Sequence, residues 1–260
     1  MENNNSKTSK PILNGGVEHK HDKYLTPVTK RKNPANKKIM PRGDRSRFLM
    51  DIPPDVMWRL LELSKVYDPH ISFPVCLQLT TGVRTGELCY IRQADCPNDD
   101  NGYTYKIEDG KLTSFIINFK QLVPMRNDVF NAGHMKTNSS TVVFPMFLPV
   151  IQHYHDWHME RLKSKTTEDG YYPLFIDQHG KALTVKEYCR RFDKLVAYLI
   201  QNLKDSNQVD IAQILLEHKL TPNSLRYWFT YQLVRYGLPP QLVSLYRGDK
   251  TIEATAKILY

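Results

Sequence analysis

Thr81-Gly82-Val83-Arg84-Thr85-Gly86-Glu87-Leu88 is the stretch whose reading decides the fold of this 260-residue chain. Ahead of it runs ISFPVCLQLT, apolar from Ile71 to Thr80, and behind it TGELCYIRQA reads as another short helix. Glycine at 82 lets the chain turn sharply between the two. Arg84 then falls in the first turn of the following helix, where backbone N–H groups and a guanidinium would together face an anion, an ordinary helix start being the alternative. Glu87, three residues on, either caps that helix or holds the arginine's orientation.

Working outward, Pro53 and Pro54 open DVMWRLLELSKV, with Val56, Leu60 and Leu63 at helical spacing. Downstream, TGELCYIRQA ends before Asp95-Cys96-Pro97, and NDDNG marks a turn. YTYKI and LTSFIINF read as strands from their β-branched and aromatic content. A long connection rich in Asn and Gly leads to HMKTNSSTVVFP, a turn followed by a strand, so Cys96 to Met135 reads as a decorated hairpin. Pro145 to Leu162 is expected to be helical and PLFID, at 173–177, a short buried strand. The remainder reads as helices: TVKEYCRRFDKLVAYLIQNL, IAQILLEH, SLRYWFTYQLVRYG, PQLVSLYR and a last one from about Thr251. The order predicts an α+β, mainly α domain with a small antiparallel sheet.

Composition narrows the function. A hydrophobic fraction of 41% fills the core of one large domain or two small ones. No apolar run is long enough for a membrane span, and MENNNSKTSK has no secretory apolar region. Cys76, Cys89, Cys96 and Cys189 form no C-x-x-C pair and read as reduced thiols of a cytosolic protein. Residues 1–47 hold twelve Lys/Arg against four Asp/Glu, which is +8 of the net +9. That segment reads as a basic flexible tail or linker ahead of a domain over 48–260. Its densest part carries Lys30, Arg31, Lys32, Lys37, Lys38 and Arg42. These are candidate DNA contacts of the sequence-independent, salt-dependent kind, and a solvated linker is the alternative.

Three further stretches invite chemistry: Lys136 in the turn HMKTNSS, Ser224-Leu225-Arg226 before an aromatic run, and Gly248-Asp249-Lys250-Thr251 leading to Tyr260. An arginine such as Arg226 could equally be a surface charge packing its stem on rings. Taken in order, these stretches resemble the catalytic domain of the tyrosine recombinases, the phage-integrase family. The family's T-G-x-R-x-x-E-L and downstream Asp are matched by Thr81, Gly82, Arg84, Glu87, Leu88 and Asp95. Its hairpin lysine, small polar residues and V-x-x-P are matched by Lys136, Thr137, Ser139, Ser140, Val142 and Pro145. T-P-H-x-L-R-H-x-F with a later glycine is matched by Thr221, Pro222, Leu225, Arg226, Phe229 and Gly237. The last box is matched loosely, by Gly248, Ile252, Thr255 and Tyr260.

The resemblance implies the tyrosine-recombinase catalytic-domain fold and a site-specific recombinase or integrase, of mobile-element type, acting on double-stranded DNA. It implies Arg84 and Arg226 as the pair that neutralises the phosphate, and Tyr260 as the nucleophile of a covalent 3′-phosphotyrosine. Lys136 would be the proton donor to the expelled 5′-oxygen. No cofactor and no metal are called for. It further implies self-assembly into a tetrameric synapse on DNA, and a cytoplasmic, nucleoid-associated location. Rival readings are a catalytically weakened DNA-binding relative, a type IB topoisomerase and an unrelated helical interaction module.

Some positions depart from the pattern. Asn223 stands where the family has histidine, and an amide donates a hydrogen bond but cannot shuttle a proton. Tyr227 replaces the histidine after the second arginine. Asp249 takes the next histidine's place. A carboxylate beside a phosphate is repulsive, so Asp249 points away or the register differs, with Lys250 or Arg247 as the substitute donor. Tyr260 lies eleven residues past Asp249, longer than the family's usual spacing. It is also the last residue, which suggests a chain truncated after the nucleophile and predicts that Tyr260 sits away from the arginine pair. His153, His155 and His158 lack H-E-x-x-H and read as a solvated helix face. Tyr103, Tyr105 and Phe119 read as sheet packing and Cys89 and Cys96 as core thiols.

Overall fold

In the computed structural model the described residues are 52–94, 96, 101–119, 125–126, 139–162, 172–249 and 251–259. In chain order the elements are α1 (Pro54–Tyr67), α2 (Pro69–Thr81), α3 (Thr85–Leu88), β1 (Asn101–Glu108), β2 (Lys111–Phe119) and β3 (Ser139–Val142). A 3-10 turn, Pro145–Phe147, leads into α4 (Leu148–Leu162). Then come α5 (Val185–Asp205), α6 (Val209–His218), α7 (Pro222–Arg235), α8 (Pro240–Tyr246) and α9 (Ile252–Leu259).

The core is built around α2. From Ile71 to Thr81 every residue of this helix is buried, because its apolar run leaves no polar face to turn outward. It packs against α1, α4 and α7. Trp228 of α7 sets its ring edge-on to Trp58 of α1, with centroids 6.1 Å apart, and its indole N–H donates to the Ile52 carbonyl at 3.0 Å. α5 is amphipathic, burying Tyr188, Phe192, Leu195, Leu199 and Leu203 at helical spacing. Its first turn is capped by Thr184, whose Oγ1 accepts from the Glu187 N–H at 3.2 Å.

The sheet has the order β1-β2-β3, antiparallel throughout. Asp109 and Gly110 close the β1–β2 hairpin, both at positive φ, as a two-residue turn matched to the strand twist requires. Tyr103 and Phe119 are buried in its packing, and Tyr103 stacks on Phe115 and Tyr105. The expected mainly α, α+β architecture is therefore the observed one.

Two local expectations fail. TGELCYIRQA is helical only over Thr85–Leu88, and PLFID forms no strand. The two segments instead meet as single bridges: Arg92 pairs with Pro173, and the Leu174 N–H donates to the Ile91 carbonyl at 2.9 Å. Pro173 has no N–H to extend a ladder. Beyond it, the Asp177 carboxylate draws the chain into a turn by accepting from the N–H groups of His179 and Lys181.

The histidines of α4 also differ from expectation. His158 is buried, its Nε2 bonded to the Leu174 carbonyl at 2.8 Å, and burial pushes its pKa down to about 4. His155 bonds the Tyr103 hydroxyl at 2.8 Å and lies edge-on to Phe73. Only His153 of the three is exposed. Cys89 and Cys96 are buried, as expected of core thiols.

Candidate functional site

The site starts where α2 ends. Gly82 takes the left-handed conformation at φ 64°, and a Cβ there would stand 2.5 Å from Cδ1 of Phe229. Conformation and packing both demand glycine at this corner. The Val83 N–H donates to Thr81 Oγ1 at 3.2 Å, and Arg84 follows as the N-cap of α3. Glu87 then does both of the things its spacing allows. Its Oε2 accepts from the Arg84 backbone N–H at 2.9 Å and its Oε1 from Arg84 Nη1 at 2.7 Å.

The second arginine comes from α7. Thr221 caps this helix, its backbone N–H donating to Ser224 Oγ at 3.1 Å, and Pro222 occupies the first turn. Arg226 is buried rather than on the surface. Its Nη1 donates to the carbonyls of Gly82 and Arg247, and its Nη2 donates to Asp249 Oδ1 at 2.6 Å. α2 and α7 are packed together, which is why residues so distant in sequence converge here.

The third contribution is the α8–α9 corner. Gly248 is left-handed at φ 62°, with a hypothetical Cβ only 2.7 Å from Thr141 Oγ1 of β3. Asp249 follows, its side chain 2% exposed. The carboxylate points into the arginine pair, so of the two arrangements expected, the one in which it points away is not the one observed. Oδ1 accepts from Arg84 Nη2 at 2.9 Å and from Arg226 Nη2 at 2.6 Å. Oδ2 accepts from Arg247 Nε at 2.7 Å and from Thr255 Oγ1 of α9 at 3.0 Å.

Three guanidiniums thus surround two carboxylates, an excess of one positive charge in a largely buried cluster. Burial pushes the Arg226 guanidinium down to about 10, helped by the neighbouring Arg247 and Arg84, so it stays charged at neutral pH. Burial also lowers Arg247. For Asp249 burial pushes upward, and the Arg247 and Arg226 charges more than offset it, holding the carboxyl below its ordinary range. The arginine open to solvent is Arg84, whose side chain is 29% exposed, so an anion would approach from its side.

A buried polar relay supports the arrangement. Tyr188 donates to Gln78 Oε1 at 2.7 Å, and Gln78 Nε2 donates to the Val83 carbonyl at 3.2 Å and to Thr85 Oγ1 at 3.1 Å. Thr85 in turn donates to Asn223 Oδ1 at 3.1 Å. This fixes the exposed Asn223 amide by its oxygen and leaves its nitrogen as the end with hydrogens to offer. Sequence reasoning missed Gln78, Thr230 and the bond that Thr255 makes. A lone glutamine inside the apolar run ISFPVCLQLT was the available signal for the first. Arg247, weighed as a substitute donor, is buried at the cluster and also bonds Thr230.

Lys136, Tyr260, Asp95, Lys250 and the basic residues Lys30, Arg31, Lys32, Lys37, Lys38 and Arg42 lie outside the described residues. Two described elements adjoin them in sequence. β3 begins three residues after Lys136 and packs against α8, while α9 runs to Leu259, next to Tyr260. Among the described residues no group of three or more His, Cys, Asp or Glu could hold a metal ion, and no helix is long and apolar enough to cross a membrane.

No protein-family model and no curated protein matches the sequence. Solved structures do match. The structure of the Tn1549 transposon integrase in complex with transposon right end DNA aligns with a TM-score of 0.55 and 21% identity, covering 80% of this chain and 61% of that one. XerA recombinase aligns at 0.53 and 17%, covering 80% and 58%. XerH site-specific recombinase bound to a palindromic difH substrate aligns at 0.51 and 14%, covering 80% and 48%. The chain therefore spans about half to three fifths of the length of these structures. Its fold is that of the tyrosine-recombinase catalytic domain.

Proposed function

We propose that this chain is a DNA strand transferase that cleaves and rejoins duplex DNA at specific sites through a covalent 3′-phosphotyrosine. The observation that carries the reading is the convergence of Arg84 and Arg226 on one anionic oxygen. A phosphodiester under attack gathers negative charge on its non-bridging oxygens, and two planar guanidiniums neutralise it without losing their protons. They supply the charge that a divalent cation supplies in other phosphoryl-transfer sites, so the proposed reaction needs no metal.

In the proposed step the Tyr260 oxygen, its phenolic proton lost to water, bonds to phosphorus while the bond from phosphorus to the 5′-oxygen breaks. Lys136 gives that oxygen its proton, and Asn223 donates a hydrogen bond to the phosphate without moving a proton. Glu87 holds Arg84 in place from below. The covalent ester conserves the bond for rejoining to a second strand. We read residues 48–260 as the catalytic domain and 1–47 as a basic arm that tracks the DNA backbone. Paired cleavages in such an exchange call for several copies on DNA, a tetrameric synapse. The setting is a mobile element acting on the nucleoid in the cytoplasm.

A second reading, a DNA-binding relative with weakened chemistry, is favoured by one feature: Asp249 already fills the arginine pair. A nicked suicide duplex, which traps the cleaved state, separates the two. Covalent protein–DNA adduct supports the enzyme, and salt-dependent binding without adduct supports the relative. Relaxation of plasmid lacking any recombination site would point instead to a type IB topoisomerase.

A further inference from the structure

We propose that Asp249 is an internal stand-in for the substrate phosphate: its carboxylate holds the anion position between Arg84 and Arg226, and an incoming phosphodiester takes that position by displacing it and loosening α9. The inference rests on reading the arginine pair as a phosphate site.

Carboxylate and phosphodiester are alike in the respect that matters, each offering two oxygens that share a negative charge to a guanidinium fork. Asp249 Oδ1 lies 2.6 and 2.9 Å from the two guanidinium nitrogens, so a second anion at the same donors would face direct repulsion. The groups that face Asp249 are Arg84, Arg226, Arg247 and Thr255, with Glu87 beyond Arg84. With Asp249 present these charges nearly cancel. Without it the cluster is strongly cationic and open on the Arg84 side.

The geometry also provides a way out. The two oxygens are divided, Oδ1 to the arginine pair and Oδ2 to Arg247 and Thr255. Asp249 can leave the pair, giving up its Oδ1 bonds and its Oδ2 bond to Thr255, and stay neutralised by Arg247. Left-handed Gly248 precedes it, and the exposed first turn of α9 begins three residues on, at Ile252. Thr255 ties α9 to the same carboxylate. Displacing it by phosphate therefore couples occupation of the arginine pair to release of the helix that leads to Tyr260.

The test uses the full chain with inorganic phosphate and a random-sequence duplex as probes. Asp249→Asn, which keeps the shape and removes the charge, should bind inorganic phosphate in calorimetry at least about tenfold tighter than the wild type, the scale of one charge-assisted hydrogen bond. In the wild type, saturating phosphate should speed amide exchange over 252–259. Equal or weaker phosphate binding by a folded Asp249→Asn variant would overturn the proposal. Unchanged exchange over 252–259 in the phosphate-saturated wild type would overturn it too, and that measurement decides alone if the variant does not fold. Tighter phosphate binding by the variant, with no duplex binding by either chain, would uphold the displaced carboxylate and sink the reading as a DNA enzyme.

Discussion

Arg84 and Arg226 donate to the same atom, Asp249 Oδ1, at 2.9 and 2.6 Å. One comes from the N-terminus of α3 and the other from the first turns of α7, and each is braced from behind. Arg84 is held by Glu87 and Arg226 by the Gly82 carbonyl. Two cations are kept side by side only where something compensates their repulsion. In the resting chain Asp249 does so. In the proposed reaction a phosphate does.

Replacing Arg226 or Arg84 with Ala should lower the rate of DNA cleavage about a hundredfold or more, the usual cost of removing one charge-stabilising donor. Duplex affinity should change far less. Arg226→Ala also leaves the buried Gly82 and Arg247 carbonyls without its donors and should destabilise the fold by about 3 kcal/mol. Arg226→Lys keeps the charge, so it separates the two effects: stability near the wild type with cleavage still impaired. Single-turnover cleavage and urea denaturation on the same preparations check this.

Gly82→Ala should destabilise the chain by about 2 kcal/mol, since it adds both a strained φ and a methyl against Phe229. Adding Phe229→Leu should relieve only the steric part. The double variant should then be more stable than the two single variants predict, a coupling that denaturation curves can measure.

The fold should weaken in mild acid through His158. Its folded-state value of about 4 lies below the ordinary 6.5, so between those limits the unfolded chain binds more protons. Stability is complete above 6.5 and falls as pH drops toward 4, by about 3 kcal/mol in all. His158→Gln keeps a donor for the Leu174 carbonyl and should flatten that slope. Melting temperatures from pH 7 to 4.5 would show it.

Much of this was legible in the sequence. The Thr81–Leu88 stretch encodes its own geometry locally, so Gly82, Arg84 and Glu87 stand as the spacing predicts. The apolar periodicity of α5 and the strands at 101–119 were readable for the same reason. What was not legible depended on distant parts of the chain. Residues 89–94 meet 173–177 through the Arg92–Pro173 bridge, and neither segment signals that partner. Asp249 turns inward because the α8–α9 corner is pressed onto Thr141, a neighbour that no local pattern records. Gln78 looked like a flaw in an apolar helix. Its partners, Tyr188 and Thr85, come from elsewhere in the fold.

Deleting residues 30–47 should reduce the slope of log affinity against log salt by about 0.9 for each phosphate that the arm no longer neutralises. Binding titrations of a random duplex at several salt concentrations measure it. An unchanged slope would make this basic segment a linker only.

The central claim is that one phosphate, held by Arg84 and Arg226, is attacked by Tyr260. The most direct measurement is to trap the chain on a library of nicked suicide duplexes and map the attached nucleotide by peptide mass spectrometry. The nucleotide mass should fall on the peptide containing Tyr260, vanish in Tyr260→Phe, and drop sharply in Arg226→Lys. Attachment to any other residue, or an adduct that survives Tyr260→Phe, would contradict it.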